Sequence, residues 1–320
     1  MSDPIGPADD EFHPPPADNA ADPEWMETCW FTFTVPERRL SGQLYPFFNH
    51  GLRVAAAGAY FWDEQGDQVW NCRYAKNFWH LPFPDTPLSD VSLANGLRYR
   101  CLETGKKYAV QYNDPDGDEV SVDLTFTAVG PAHRLHTSHI DQPGRYQGTI
   151  KLYGETIPVD SYGFRDRSWG HRSQFGATLM GGVAIGGGYS YATASENDGF
   201  HVITMNFGEG CIGIHGHLVR DGEWSELKSA RRTVVEVDKE TGFPAVVRIE
   251  GTDALGRTLE AEGRTLNRLI FPINPNLLTV NCLTEWTFGG VTAYGEDHDN
   301  WSAASIRVAA RTHAGYPVPG

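Results

Sequence analysis

The sequence predicts an all-β chain organised as two tandem antiparallel barrels or sandwiches packed together, and three observations carry the prediction. Short runs of β-branched and aromatic residues alternate with polar ones through both halves. Turn-forming clusters separate the runs, and no long stretch repeats its apolar residues with a helical period. Closing such sheets into barrels removes the exposed edges that many short strands would otherwise leave.

Residues 1–22 are rich in Asp, Pro and Ala and bury too little apolar surface to offset the entropy of ordering, so a disordered acidic, Pro-rich arm is expected. The first barrel is expected over 23–175. Its strands read "ETCWFTFTV", "GQLYPFF", "LRVAAAGAYFWD", "QVWNCRYA", "LRYRCLE", "KYAVQYN", "EVSVDLTFT", "RYQGTIKLYG" and "TIPVDSYGF", joined by turns at "DEQGDQ", "LETGKK", "NDPDGDE" and "LYGETI". The glycine-rich "GGVAIGGG" (181–188) lacks the Lys-Ser/Thr of a phosphate loop and reads as a connector or a close-packed strand edge. A second barrel over 176–320 repeats the texture in "YSYATAS", "FHVITMNF", "CIGIHGHLVRDGEW", "RRTVVEVD", "AVVRIEGTDALGRTLEAEG" and "LLTVNCLTEWTFGGVTAYG". An internal echo supports the repeat: "YGFRDRSW" (162–169) and "YGEDHDNW" (294–301) share their length, their Tyr-Gly start and their final Trp.

A net charge of −15 argues against a nucleic-acid or anionic-membrane partner, because both require a basic face. Five cysteines are widely spaced and form no CxxC pair, so reduced, mostly buried thiols are expected rather than a disulfide framework or a zinc ribbon. No run reaches the length of a membrane span and no signal segment opens the chain, which points to a cytoplasmic protein. The partner that remains is a hydrophobic small molecule, and self-association as a homodimer is left open.

Two features resemble metal sites and fail. In "NDPDGDE", Asp114, Asp116 and Asp118 alternate as in a calcium loop, but the glycine falls two places early and Thr125 stands where a closing Glu belongs. His133, His136 and His139 lie three apart without helical patterning, and His215 with His217 supply only two ligands to one strand face. No metal and no cofactor are expected.

The densest chemistry lies in "VDSYGFRDRSWGHR" (159–172). Read as a strand, it places Asp160, Tyr162, Phe164 and Asp166 on one face and Val159, Ser161, Gly163 and Arg165 on the other. Turned into a barrel, the first face would be a polar constellation that needs paired charges, and Arg165, Arg167 and Arg172 are the obvious partners. Asp166, held by arginine, would be a structural anchor in an ion-pair network with Arg165 and Arg172. Asp160, farther from the arginines, could have a raised pKa and act in proton transfer, as could His139 beside Asp141.

These residues resemble a known group. "DSYGFRDRSWGHR", preceded by "HIDQPGRYQGTIKLYGETIPVD" and, upstream, by "WFTFTVPERRLSGQLYPFFNHG" and "YFWDEQGDQVW", looks like the tandem lipocalin-like superfamily that includes AttH-like proteins and the carotenoid 1,2-hydratase hydroxyneurosporene synthase. The resemblance spans roughly Trp25 to Arg172. It implies two calycin-like barrels, a hydrophobic pocket, and hydratase, dehydratase, isomerase or pericyclase chemistry on terpenoid or polyketide-like substrates without a redox cofactor. The family's "DHxWG" stretch supplies a His and a Trp to the active site. Here those places hold Arg167 and Trp169, and arginine does not release a proton near neutral pH.

The expected function is therefore a cofactor-independent lyase or isomerase of a hydrophobic terpenoid, steroid or lignin-derived aromatic. The alternative is a carrier of a lipid or isoprenoid. Asp160 or His139 would move the proton, Tyr162 would bond a substrate oxygen, and Arg167 would stabilise developing negative charge. Trp169 and Phe164 would pack against the substrate.

Overall fold

The computed structural model describes residues 5–172, 186–208 and 210–317; the expected barrel boundary at 175/176 and most of "GGVAIGGG" lie outside them. Twenty strands carry the fold among the described residues. They are β1 (Trp25–Val35), β2 (Leu40–Asn49), β3 (Val54–Trp62), β4 (Tyr74–Pro82), β5 (Asp90–Ser92), β6 (Leu97–Glu103), β7 (Lys107–Asn113), β8 (Val120–Ala128), β9 (His133–Leu135), β10 (His139–Leu152) and β11 (Glu155–His171), followed by β12 (Tyr189–Thr193), β13 (Gly199–Asn206), β14 (Cys211–Arg220), β15 (Glu223–Val237), β16 (Pro244–Asp253), β17 (Thr258–Thr265), β18 (Leu269–Asn274), β19 (Leu277–Phe288) and β20 (Val291–Ser302). An α-helix, α1 (Ala303–His313), follows, started by Ser302, whose side chain accepts from the Ser305 amide. Its apolar stripe is too short to announce itself by period. No helix among the described residues is long and apolar enough to cross a membrane.

The described residues form two compact units, 5–61 with 73–172, and 62–72 with 186–317. The first is a curled sheet in the order β4-β3-β2-β1-β11-β10-β8-β7-β6-β5, with β9 added beside β10. In the second, β12 to β17, β20 and β19 follow one another and β17 pairs back to β19, closing an eight-stranded barrel with β18 on its margin. The all-β expectation holds, as a curled sheet followed by a closed barrel, consistent with tandem lipocalin-like barrels. All five cysteines are free thiols.

Local chemistry accounts for the joints. Tyr153 and Gly154 both take positive φ (49° and 86°), giving the two-residue turn that matches the twist of β10 and β11. The "NDPDGDE" tip is a hairpin loop held by Lys76, whose ammonium reaches Asp114 at 2.5 Å and Asp116 at 2.6 Å, so those carboxylates are occupied by a lysine.

The arm departs most from expectation. Instead of lying loose, residues 5–22 pack on the first unit. Phe12 meets Phe48 and Phe83, and the buried Asp10 carboxylate accepts from the Tyr108 hydroxyl and the Cys101 thiol. Arg134 bonds Asp9, and Trp25 Nε1 donates to the His13 carbonyl. A few specific anchors offset the ordering cost that composition alone makes prohibitive.

Strand phase decides which side chains enter the first core. Cys29, Phe31, Phe33 and Val35 of β1 and Ile157 and Val159 of β11 belong to it. Cys29 lies opposite Arg167, Phe31 opposite Arg165 and Glu27 opposite Trp169, and directly opposed residues of an antiparallel pair share a face. Arg165, Arg167 and Trp169 therefore point inward. Asp160, Tyr162, Phe164 and Asp166 take the other face, which reverses the assignment of the polar face to the barrel interior. The apolar Ile157 and Val159 set the phase, and Gly163 is required because a side chain there would run into the Thr32 carbonyl.

Candidate functional site

Three elements converge at one end of the first core: the start of β1, the end of β11 and the N-terminal arm. Glu27, fully buried, is the centre. Arg167 Nη2 donates to Glu27 Oε1 and to the Glu11 carbonyl, and lies 3.1 Å from His13 Nδ1. The His13 amide donates to Glu27 Oε2 at 2.9 Å, His13 Nδ1 lies 3.4 Å from Oε1, and His50 Nε2 lies 3.0 Å from Oε2. Burial alone would push the Glu27 carboxyl up, but the His13 and His50 bonds and the Arg167 charge outweigh it and hold the group well below the ordinary carboxylate range.

Above this centre the His13 ring stacks on Trp169, centroids 3.8 Å apart and planes 9° from parallel. The Arg167 guanidinium sits 5.3 Å from the same Trp169 ring, a cation–π distance. Arg167 is 1% exposed, and among the described residues nothing accepts a hydrogen bond from its Nε or Nη1. The buried Tyr99 hydroxyl, near enough to act on Arg167 electrostatically, likewise has no partner among the described residues. Two orphan donor nitrogens on a buried cation are costly and call for an acceptor.

The other predicted residues go elsewhere. Asp160 lies at the surface in a two-point pair with Arg145, Nε to Oδ1 2.5 Å and Nη2 to Oδ2 2.8 Å, and Arg145 holds its carboxyl below the usual range rather than above it. A role for Asp160 in proton transfer loses its physical basis. Tyr162 is half-buried on that outward face, and Phe164 is buried there against Trp30, its carbonyl accepting from the Tyr146 hydroxyl. Arg165 does not join Asp166 in the expected network with Arg172, because alternation puts Arg165 and Asp166 on opposite faces. Arg165 instead donates to Gln142 and to the Tyr108 hydroxyl while covering the Tyr108 ring at 3.9 Å, and Arg172 donates to Ser168.

His139 also lies on the outward face, its Nε2 2.9 Å from Asp141 Oδ2 and 3.6 Å from Asp166 Oδ2. Burial opposes its charge, yet the two carboxylates outweigh burial and raise its pKa. The sheet thus separates two sets predicted to act together, with Arg167 and Trp169 inside and His139 and Asp166 outside. In the second unit a cleft of about 330 Å³ lies among Asp63, Asp67, Asp238, Thr241 and Arg268, polar rather than apolar.

Sequence reasoning missed Glu27, His13 and His50. Glu27 had a signal: it occupies the phase of Cys29, Phe31 and Phe33, where a carboxylate must be paired. His13 had a weaker one, its place beside Phe12, the one aromatic carbocycle in an otherwise polar arm.

Comparison with known proteins fits this architecture. The AttH-type protein of Nitrosomonas europaea superposes with a TM-score of 0.60 at 14% identity, over 87% of this chain and 91% of that one. CghA superposes with a TM-score of 0.55 at 12% identity, over 88% of each chain. The fold is that of the AttH-like, tandem lipocalin-like proteins. No curated protein matches the chain. A family match over residues 6–302 takes in both units and the arm, and the chain belongs to the family described as Domain of unknown function (DUF7064).

Proposed function

We propose that the protein is a cofactor-independent lyase or isomerase that adds or removes water, shifts a double bond or expels a small fragment in a hydrophobic small molecule. The observation that carries this reading is the Arg167 guanidinium, buried beneath Trp169 with two donors unclaimed among the described residues. A substrate carbonyl or hydroxyl oxygen accepting from Nε and Nη1 would have its developing negative charge stabilised in a site of low dielectric. Trp169 offers its ring face to an apolar skeleton.

His13 takes the proton-transfer role first sought in Asp160 or His139. His13 Nδ1 lies 3.1 Å from Arg167 Nη2, which can only donate, so Nδ1 accepts and Nε2 carries the proton, an acid toward a substrate oxygen. In a dehydration, Nε2–H gives its proton to the departing hydroxyl, which leaves as water. The carbon next to a carbonyl held by Arg167 gives up its proton to the same nitrogen as the double bond forms. His13 and Trp169 are partly exposed while the guanidinium is not, so a substrate would approach Arg167 past those two rings.

The test is turnover of a panel of hydroxylated or enone-bearing terpenoids, steroids and aromatics by wild type, His13→Asn and Arg167→Met proteins of matched circular dichroism. Loss of about 100-fold or more in kcat for each variant is expected. Undiminished turnover by both would sink the reading. A wild type that retains one compound and converts none would instead establish a carrier.

A further inference from the structure

On the outward face of the same sheet, the side chains of His139, Asp141 and Asp166 converge. Asp141 and Asp166 are direct cross-strand partners between β10 and β11, and both are buried, 0% and 7% exposed. Like charges placed opposite one another in a sheet repel, and burial strengthens the repulsion. The His139 Nε2 reaches both carboxylates and shares its proton with Asp141, and a metal ion in that proton's place would bring two positive charges to the pair.

From these distances we propose that His139, Asp141 and Asp166 bind one divalent first-row metal ion. His and carboxylate ligands sit about 2.0–2.2 Å from such an ion, which puts ligand atoms of one coordination shell roughly 3.0–3.5 Å apart. The His139 nitrogen is 2.9 Å from one carboxylate oxygen and 3.6 Å from the other, and all three donor atoms lie within 4.8 Å of one another. Small adjustments bring all three onto one ion. One nitrogen and two oxygens without a thiolate suit Mn²⁺, Fe²⁺ or Zn²⁺ rather than a soft monovalent ion.

Surrounding bonds hold this geometry. Ser168, the cross-strand partner of His139, shares a hydrogen bond with Thr28 across to β1 and accepts from Arg172. The His139 side chain is 18% exposed, which leaves a route for the ion and room for water in the remaining coordination positions. The site lies across the sheet from Arg167 and takes no part in the proposed reaction, so each reading stands or falls separately.

The experiment uses the full chain, stripped with a chelator and titrated with Mn²⁺ and with Zn²⁺ by calorimetry, then crystallised with Mn²⁺ for anomalous diffraction. Expected are one saturable site per chain, an anomalous peak among the three side chains, and at least a 30-fold weaker affinity in His139→Ala and Asp166→Asn. The wild-type peak decides the question even if a variant folds poorly. No saturable binding, or a peak elsewhere on the molecule, would overturn the proposal.

Discussion

The last strand of each unit carries the same eight-residue frame with opposite charges inside it. In β11 the inward positions hold Arg165 and Arg167; in β20 the matching positions hold Asp297 and Asp299, on the face that Ala293 shares with the second core. The frames agree in their backbone. Gly163 lies against the Thr32 carbonyl and Gly295 against the Tyr191 carbonyl, each on the first strand of its unit, so the shared Tyr-Gly marks a close strand approach. What differs is whether the buried charge is fully matched.

In the second unit it is. Arg232 donates to both oxygens of Asp297, at 2.9 and 2.6 Å, and its third nitrogen lies 3.6 Å from Asp299. Ser190 donates to Asp297, and the Gly187 amide and the Trp301 indole donate to Asp299. In the first unit one guanidinium nitrogen serves Glu27, the Glu11 carbonyl and His13 Nδ1 while two have no acceptor among the described residues, and the matching Trp169 stacks on a histidine instead of bonding a carboxylate. A complete buried pair is a latch; an incomplete one is a place for a ligand.

The comparison can be broken at several strengths. The largest effect is expected from Arg232→Met, which leaves Asp297 buried without its cation and should cost about 3–5 kcal/mol in denaturant unfolding. Turnover per folded molecule should stay unchanged. Arg167→Met should cost less, about 1–3 kcal/mol, because His13 and His50 still bond Glu27. Its main consequence should be the lost turnover, and a stability loss equal to that of Arg232→Met with activity intact would erase the distinction.

Acid provides a graded version. The folded-state pKa of Glu27 lies below its unfolded value, so its contribution is present above the usual carboxylate range and is lost as pH falls through and beneath it. Unfolding free energy should fall below pH ~4.3, by at most about 1.4 kcal/mol per pH unit for this one proton, and Glu27→Gln should flatten that part of the profile. The smallest effect belongs to Asp160→Asn. Losing a solvent-exposed pair should cost less than about 1 kcal/mol and leave turnover unaltered, and a collapse of activity would return Asp160 to the site.

Alternation and turn chemistry made most of the architecture legible: most of the strands, the hairpin at Tyr153–Gly154, and the repeat flagged by the two Tyr-Gly frames; "QVWNCRYA" is the exception, turning through 68–73 before β4 begins at Tyr74. The site was half legible. Periodicity shows which residues share a face but not which face points inward, so Asp160 and Tyr162 were placed inside although Ile157 and Val159 of the same strand set the opposite phase. The arm was misread because composition averages over 22 residues, whereas a few anchors, Asp10, Phe12 and His13 among them, decide its packing. Glu27 meets His50 and Arg167 only through β1–β2 and β1–β11 pairing, which a linear sequence does not display.

The claim that β11 holds an open charge where β20 holds a closed one is tested most directly by comparing Arg167→Met with Arg232→Met in one turnover assay on the first substrate found for the wild type. The account predicts that Arg167→Met loses about 100-fold or more in kcat while Arg232→Met, corrected for its folded fraction, keeps the wild-type value. Equal losses in the two variants, or none in either, would contradict it.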